Sequence, residues 1–454
     1  MPTSVRSTTR RQRLPSARTI ASAIARAIAL PLSLSLLVGW FAIAEAQKGP
    51  PISRGEKLEI LEHVWKAVNE RYYDRSFHGV DWNAQLATMR PRMDDASDRL
   101  EFYRFLRKMI GTLGDAHTRV FSPEDAFDRN RPSGITTGLS VRRVEGAAVI
   151  IWVEPSSEAA KQGLRPGQRI KTIDGNPVEQ LLAAAREDLG LSSTAVAREV
   201  LSFERIFYGP RDTLAEVEVV DQEGHTRKAV LRRRFVEFQR RVLTRRLPGE
   251  IGYIELTGFG PEVEREFDAA ILSNQSSRGL ILDLRNNGGG FVTTVARVAS
   301  HFFSRETELG VFITRQGKAS PRRTERLKNI YRGPVVILVS ARSASGAEML
   351  AAALQERKRA TIVGNSATTC GCLVGVSRSV NLPDGGKLNV SDTDFRTAFG
   401  RRVEGTGVLP DERLELRIAD LTEGRDRALE WAVDYLGRLD VPADADLSTE
   451  HAKR

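Results

Sequence analysis

The sequence predicts a multidomain α/β protein in three parts: a helical N-terminal region, a β-rich middle, and a C-terminal half in which strands and helices alternate. Three observations carry this. Apolar residues recur at helical spacing from Lys57 to Ile110, short alternating apolar runs extend from Gly138 to Leu231, and strand and helix patterns take turns from Gly252 onward. The 454 residues are 41% hydrophobic and 28% charged with two cysteines, which suits about three domains and excludes disordered and disulfide-scaffold classes.

The first element is an address rather than a fold. Six arginines and no acid occupy residues 1–26, an apolar stretch follows to Ala44, and Ala44-Glu45-Ala46 closes it with small residues. This is the order of a secretory signal peptide, residues 1–46, with cleavage expected after Ala46. The alternative is an uncleaved membrane anchor, since about 18 apolar residues nearly span a bilayer, but Pro31, Ser33, Ser35 and Gly39 weaken that helix. Cleavage would halve the formal net charge of +10, and the remaining charges are interleaved, so no basic block suggests nucleic acid. The expected compartment is an oxidising one such as a periplasm.

Residues 47–131 form the helical region. Leu58, Leu61, Val64, Trp65 and Val68 share one helical face, and Leu100, Phe102, Phe105, Leu106 and Ile110 share another; an aromatic connector, Tyr72 to Trp82, lies between them. The second helix runs into Gly111-Thr112-Leu113-Gly114-Asp115-Ala116-His117-Thr118. A boundary is expected near Arg131. Residues 132–235 then carry strand signals at Gly138–Val141, Val149–Val153, Arg169–Ile173, Leu214–Val220 and Lys228–Leu231, with one helical stretch expected from Val178 to about Phe207. In residues 236–438 the run Leu280–Leu284 is almost purely apolar, as in a strand buried on both faces, and a last helix is expected over Arg425–Leu436. Residues 439–454 read as a polar tail.

Two strand ends concentrate the chemistry. After Leu284 comes Arg285-Asn286-Asn287-Gly288-Gly289-Gly290, whose glycines allow main-chain N–H groups to approach a ligand closely but lack the spacing of a dinucleotide loop. After Val339 comes Ser340-Ala341-Arg342-Ser343-Ala344-Ser345-Gly346-Ala347-Glu348. A serine opening a helix is either an N-cap or a nucleophile. The small residues around Ser345 leave room for a tetrahedral adduct, and a helix N-terminus favours an oxyanion.

The middle region resembles a PDZ domain at Val153-Glu154-Pro155-Ser156-Ser157-Glu158-Ala159-Ala160, Gly163-Leu164-Arg165-Pro166-Gly167 and Ile173-Asp174-Gly175-Asn176-Pro177-Val178. The resemblance implies capture of an extended peptide as an added strand, with Gly138 and Leu139 in the loop that meets its carboxylate. The long helical stretch departs from that pattern and is expected to reshape or cover the groove.

Together, the strand Gly252–Leu256, the triple-glycine end, the Ser345 motif, Ala360-Thr361-Ile362-Val363-Gly364 and Glu404-Gly405-Thr406-Gly407-Val408-Leu409-Pro410-Asp411 resemble the C-terminal processing, or tail-specific, serine peptidases. That resemblance implies a crotonase/ClpP-like α/β peptidase core, Ser345 as nucleophile, and an oxyanion held by Gly346 with Gly288 or Gly289. It implies no metal and no organic cofactor. Its partners would be protein or peptide substrates with a free C-terminus, with membrane contact only through an uncleaved signal segment.

One position departs from the family. Its best-known branch takes its base from a lysine about 25 residues after the serine, and here that position is Cys370. Lys358 lies about 20 Å along a helix from Ser345. A second, tricorn-like branch uses a histidine before the PDZ segment and a glutamate after the nucleophile; the chain resembles it at His117 and Glu404. Ala116 replaces the serine that precedes the histidine in that branch. Cys370 and Cys372 share one loop, either as a tight disulfide or as thiols near the site. The rival readings are an inactive peptidase scaffold that binds peptides and an acyl-CoA enzyme on the crotonase-like core.

Overall fold

The computed structural model describes residues 49–125, 128 and 130–439, so the expected signal peptide and nearly all of the polar tail lie outside the described residues. Among the described residues no helix is long and apolar enough to cross a membrane.

Helix α1 spans Arg54–Arg71 and starts at a capping box: Glu56 N–H donates to Ser53 Oγ (3.2 Å) and Ser53 N–H to Glu56 Oε2 (2.8 Å). Helices α2 (Trp82–Asp94) and α3 (Arg99–Gly111) begin at Asp81 and Asp98, whose carboxylates accept from the first turn. Ile60, Val64, Phe102, Leu106 and Met109 are fully buried between these helices. The three helices do not close this core alone. Strand β1 (Arg119–Phe121) pairs antiparallel with Lys387–Ser391 of the hairpin Ser377–Asn381/Lys387–Ser391, and Leu382, Leu388 and Val390 complete the cluster.

The β-rich part is an antiparallel sheet in the order β2 (Leu139–Val144), β3 (Ala147–Val153), β4 (Arg169–Ile173), β5 (Leu214–Val220), β6 (Thr226–Arg232). The stretch expected as one helix after Val178 is two: α4 (Val178–Leu189) and α5 (Ala195–Arg205). Gly190 sits between them at φ 67° and ends α4. A Cβ added to Gly111 would lie 3.0 Å from the Leu189 carbonyl, so glycine at this point lets the hairpin seat directly on α3. Two ion pairs, Lys108–Glu187 at 2.9 Å and Arg104–Asp188 at 3.6 Å, flank that contact.

In the C-terminal half, strands β7 (Val242–Leu247), β8 (Ile251–Leu256), β9 (Gly279–Asp283), β10 (Val335–Val339) and β11 (Thr361–Gly364) form one sheet with the short strand Glu412–Arg413. All neighbours are parallel except β7 against β8. Side chains alternate across it as the strand period requires. Ile254, Leu280, Leu282 and Ile337 face helices α6 (Pro261–Ser273), α7 (Val292–Ser300) and α8 (Gly346–Glu356), while Tyr253, Ile281, Val336 and Leu338 face α9 (Arg427–Arg438). Helices on both faces explain the unbroken apolar run of β9. The carboxyl ends of β9 and β10 open side by side, which places the triple-glycine loop against the loop that carries Ser345.

Candidate active site

Ser345 stands at the N-terminus of α8 with φ 53° and ψ −113°, a left-handed value that projects a side chain out of a sharp strand-to-helix turn. Its Oγ lies 3.2 Å from Nε2 of His117, 228 residues away in sequence. The loop bearing His117 is held from within. Asp115 Oδ1 accepts from His117 N–H at 2.7 Å and Oδ2 from Thr118 Oγ1 at 2.5 Å, and Thr118 Oγ1 accepts from Ser391 N–H at 3.1 Å. The hairpin that completes the N-terminal core therefore also fixes the histidine loop.

Glu404 is buried beside this loop. Burial, with Asp115 nearby, pushes its carboxyl up to about 9, while the Ser193 hydroxyl and the Arg402 guanidinium pull it down. Its Oε2 is buried without a hydrogen-bond partner among the described residues.

Of the three glycines expected to hold an oxyanion, Gly289 uses its N–H internally, donating to Asn287 Oδ1 at 2.9 Å. That amide is already engaged, so Gly346, at the N-terminus of α8, and Gly288 stay as the candidate donors. Gly289 instead provides clearance. At φ 100° a Cβ there would lie 2.8 Å from Ser345 Cβ and 2.9 Å from Gly346 N. Gly289→Ala is expected to cut kcat at least about 100-fold, on the scale of a lost oxyanion donor, and to lower thermal stability through its positive φ. Steady-state kinetics and a melting curve read both; wild-type kcat would refute the close approach.

Cys370 and Cys372 form a disulfide, so neither presents a thiol. The loop they tie is the one that buttresses the nucleophile. Glu348, three residues after Ser345 and fully buried, accepts from Ser345 N–H (2.9 Å), Gly371 N–H (2.7 Å), Cys372 N–H (3.0 Å) and the Thr369 hydroxyl. Burial pushes its carboxyl up to about 7 against these four donors. Sequence reasoning assigned Glu348 no role, although the Ser-x-x-Glu spacing of a capping box was visible.

Lys358 follows the far end of α8 from Ser345, about 16 Å of helix away. The other described histidines are engaged elsewhere: His63 with Glu59 O, His78 with Tyr73 and Leu113, His225 with Asp221, and buried His301 with Asp268 and Asn329. One group of metal-type donors occurs among the described residues, Asp221, Glu223 and His225, mostly exposed on the β5–β6 turn, which belongs to a different sheet from the one that leads into Ser345.

In the β-rich part, Gly138 has φ 80°, donates its N–H to Thr136 Oγ1 at 3.0 Å and accepts from Glu154 N–H at 2.8 Å. Its amide is thus engaged, against the expectation that it meets a substrate carboxylate. Leu139 pairs with Val153 in β2, the edge strand. Arg143 of the same strand binds Glu179 of α4 and Glu199 of α5, so the helical hairpin is tied to that edge.

Comparison with known proteins finds likenesses along most of the chain. Residues 250–414 match the profile of peptidase family S41, and residues 53–111 that of the tricorn protease C1 domain. A carboxyl-terminal-processing protease of Synechocystis sp. is 28% identical over 421 residues, covering 89% of this chain and 92% of its own. The chloroplastic carboxyl-terminal-processing peptidase 3 of Arabidopsis thaliana is 25% identical, covering 86% and 76%. Among solved structures, the photosystem II D1 C-terminal processing protease matches with a TM-score of 0.55 at 26% identity over 86% of this chain and 99% of that one. Mature CPAF reaches 0.67 at 15% identity over 86% and 99%, a likeness of fold.

Proposed function

Because the chain belongs to peptidase family S41, among its C-terminal processing serine peptidases, we propose that it is an exported endopeptidase working through Ser345, His117 and Glu404. The 3.2 Å contact between His117 Nε2 and Ser345 Oγ carries this reading. The His117 imidazole, in its neutral form, takes the serine proton as Oγ attacks the scissile carbonyl carbon. Gly346 and Gly288 N–H groups, at a helix N-terminus and a glycine loop, bind the oxyanion. His117 then returns the proton to the leaving amine, and water hydrolyses the acyl-serine through the same base. Glu404 in its carboxylate form, which becomes populated as pH rises towards about 9, would orient the ring and stabilise its charge.

The division into a helical part (47–131), a PDZ-like part (132–235) and a peptidase core (236–438) belongs to the same proposal, with strand β2 as the edge that captures a substrate tail. The inactive-scaffold reading rested on the missing lysine at Cys370, and a histidine within reach of the serine removes that motive. The test is an unstructured substrate protein offered with a free C-terminal carboxylate and with the same terminus amidated, incubated with residues 47–454. Faster cleavage of the free form is expected. Equal rates would overturn the tail-directed part; no cleavage together with no acylation of Ser345 by a fluorophosphonate would overturn the peptidase reading.

A further inference from the structure

The helical hairpin inserted in the β-rich part reaches the site itself. Between α4 and α5, Ser193 Oγ accepts from Ala116 N–H at 2.9 Å. Ser193 O lies 3.9 Å from where a Cβ on Gly405 would stand, and the nearby hydroxyl pulls the neighbouring Glu404 carboxyl down against burial. Next to it, Thr194 Oγ1 donates to Cys370 O at 2.5 Å while capping α5, and Ala197 packs on the disulfide together with Ala116 and Ala344. Arg342, three residues before Ser345, pairs with Glu204 of α5 at 3.2 Å. The hairpin thus touches the neighbours of His117, Ser345 and Glu404 at once.

We propose that Ser193 is a positioning residue for the catalytic relay, its hydroxyl fixing the Ala116 backbone beside His117, so that the inserted hairpin completes the active site. This rests on the Ser345–His117–Glu404 reading above. Ala116 itself supplies only its N–H to the arrangement; the hydroxyl comes from a segment 77 residues further along the chain. A shift of the hairpin on its strand would then withdraw the hydroxyl from the Ala116 backbone and slow the chemistry without moving Ser345.

Ser193→Ala in the full mature chain is expected to lower kcat about fivefold, the worth of one hydrogen bond, with KM within about twofold. Loss of the hydroxyl raises the Glu404 pKa, so the pH at which kcat/KM rises should move to more alkaline values than in the parent. Asp115 and Glu348 raise that pKa too and Arg402 lowers it, while the neutral phenols of Tyr72 and Tyr73 lie in its field; all stay unchanged in the variant. Ser193→Thr should restore both rate and profile. An unchanged kcat and pH profile in Ser193→Ala would overturn the inference, as would a fall in kcat with the parental profile and no rescue by threonine. Cleavage retained by Ser345→Ala would instead overturn the underlying mechanism.

Discussion

Replacing His117 by alanine is expected to reduce kcat by about 10⁴-fold or more with little change in KM, the scale of losing one member of a serine triad. Among the described residues, the two other candidates for the base are accounted for. Cys370, at the position of the family's usual lysine, is consumed in a disulfide, and Lys358 follows the opposite end of α8. Since His117 Nε2 stands 3.2 Å from Ser345 Oγ, the two should act as a unit. The double variant His117→Ala/Ser345→Ala should therefore be no slower than either single one. Steady-state rates on the free-carboxylate substrate decide this; a His117→Ala enzyme within tenfold of the parent would mean another base serves.

Replacing Glu348 by alanine should have the largest effect on stability. Its carboxylate is the common acceptor of four donors in a fully buried setting, and removing it leaves Ser345 N–H, Gly371 N–H, Cys372 N–H and the Thr369 hydroxyl without that partner. A cost of about 3 kcal/mol or more follows, or a Tm lower by roughly 6–12 °C for a domain of this size. Activity should fall with it, because the same carboxylate holds the nucleophile's backbone. The ionisation adds a pH signature. Burial lifts the folded-state pKa from 4.5 to about 7, so the native protein holds the proton more tightly than the unfolded chain. That contribution is present in full below about 4.5 and disappears as pH rises through about 7. Glu348→Gln, which cannot titrate, should show a shallower decline of Tm across that interval. A Tm of Glu348→Ala within about 1 °C of the parent would show that the four bonds carry no weight.

How far the sequence reached differs between residues for physical reasons. The apolar run Leu280–Leu284 announced a strand covered on both faces, and β9 is that strand. Ser345 and His117 were legible because each sits in a local motif with its own turn chemistry, and the structure brings them together across 228 residues. Glu348 carried a local signal, the spacing of a capping box, whose meaning depended on a loop 23 residues on. Ser193 carried none: a serine in a polar helix connector looks like any other, and only tertiary packing aims it at Ala116 and brings it near Glu404. The break at Gly190 was hidden for the opposite reason, since apolar spacing continues on both sides of it. Gly138 was assigned from a pattern, while its amide is spent within its own turn on Thr136.

The site draws on four stretches of chain, near residues 117, 193, 345 and 404. A growing chain makes the histidine first and the glutamate last. In the proposed relay, Ser345 is thus made before the glutamate that completes it. Under the proposed mechanism, full activity would therefore belong only to the nearly finished chain, because the last member of the relay lies 50 residues from its end.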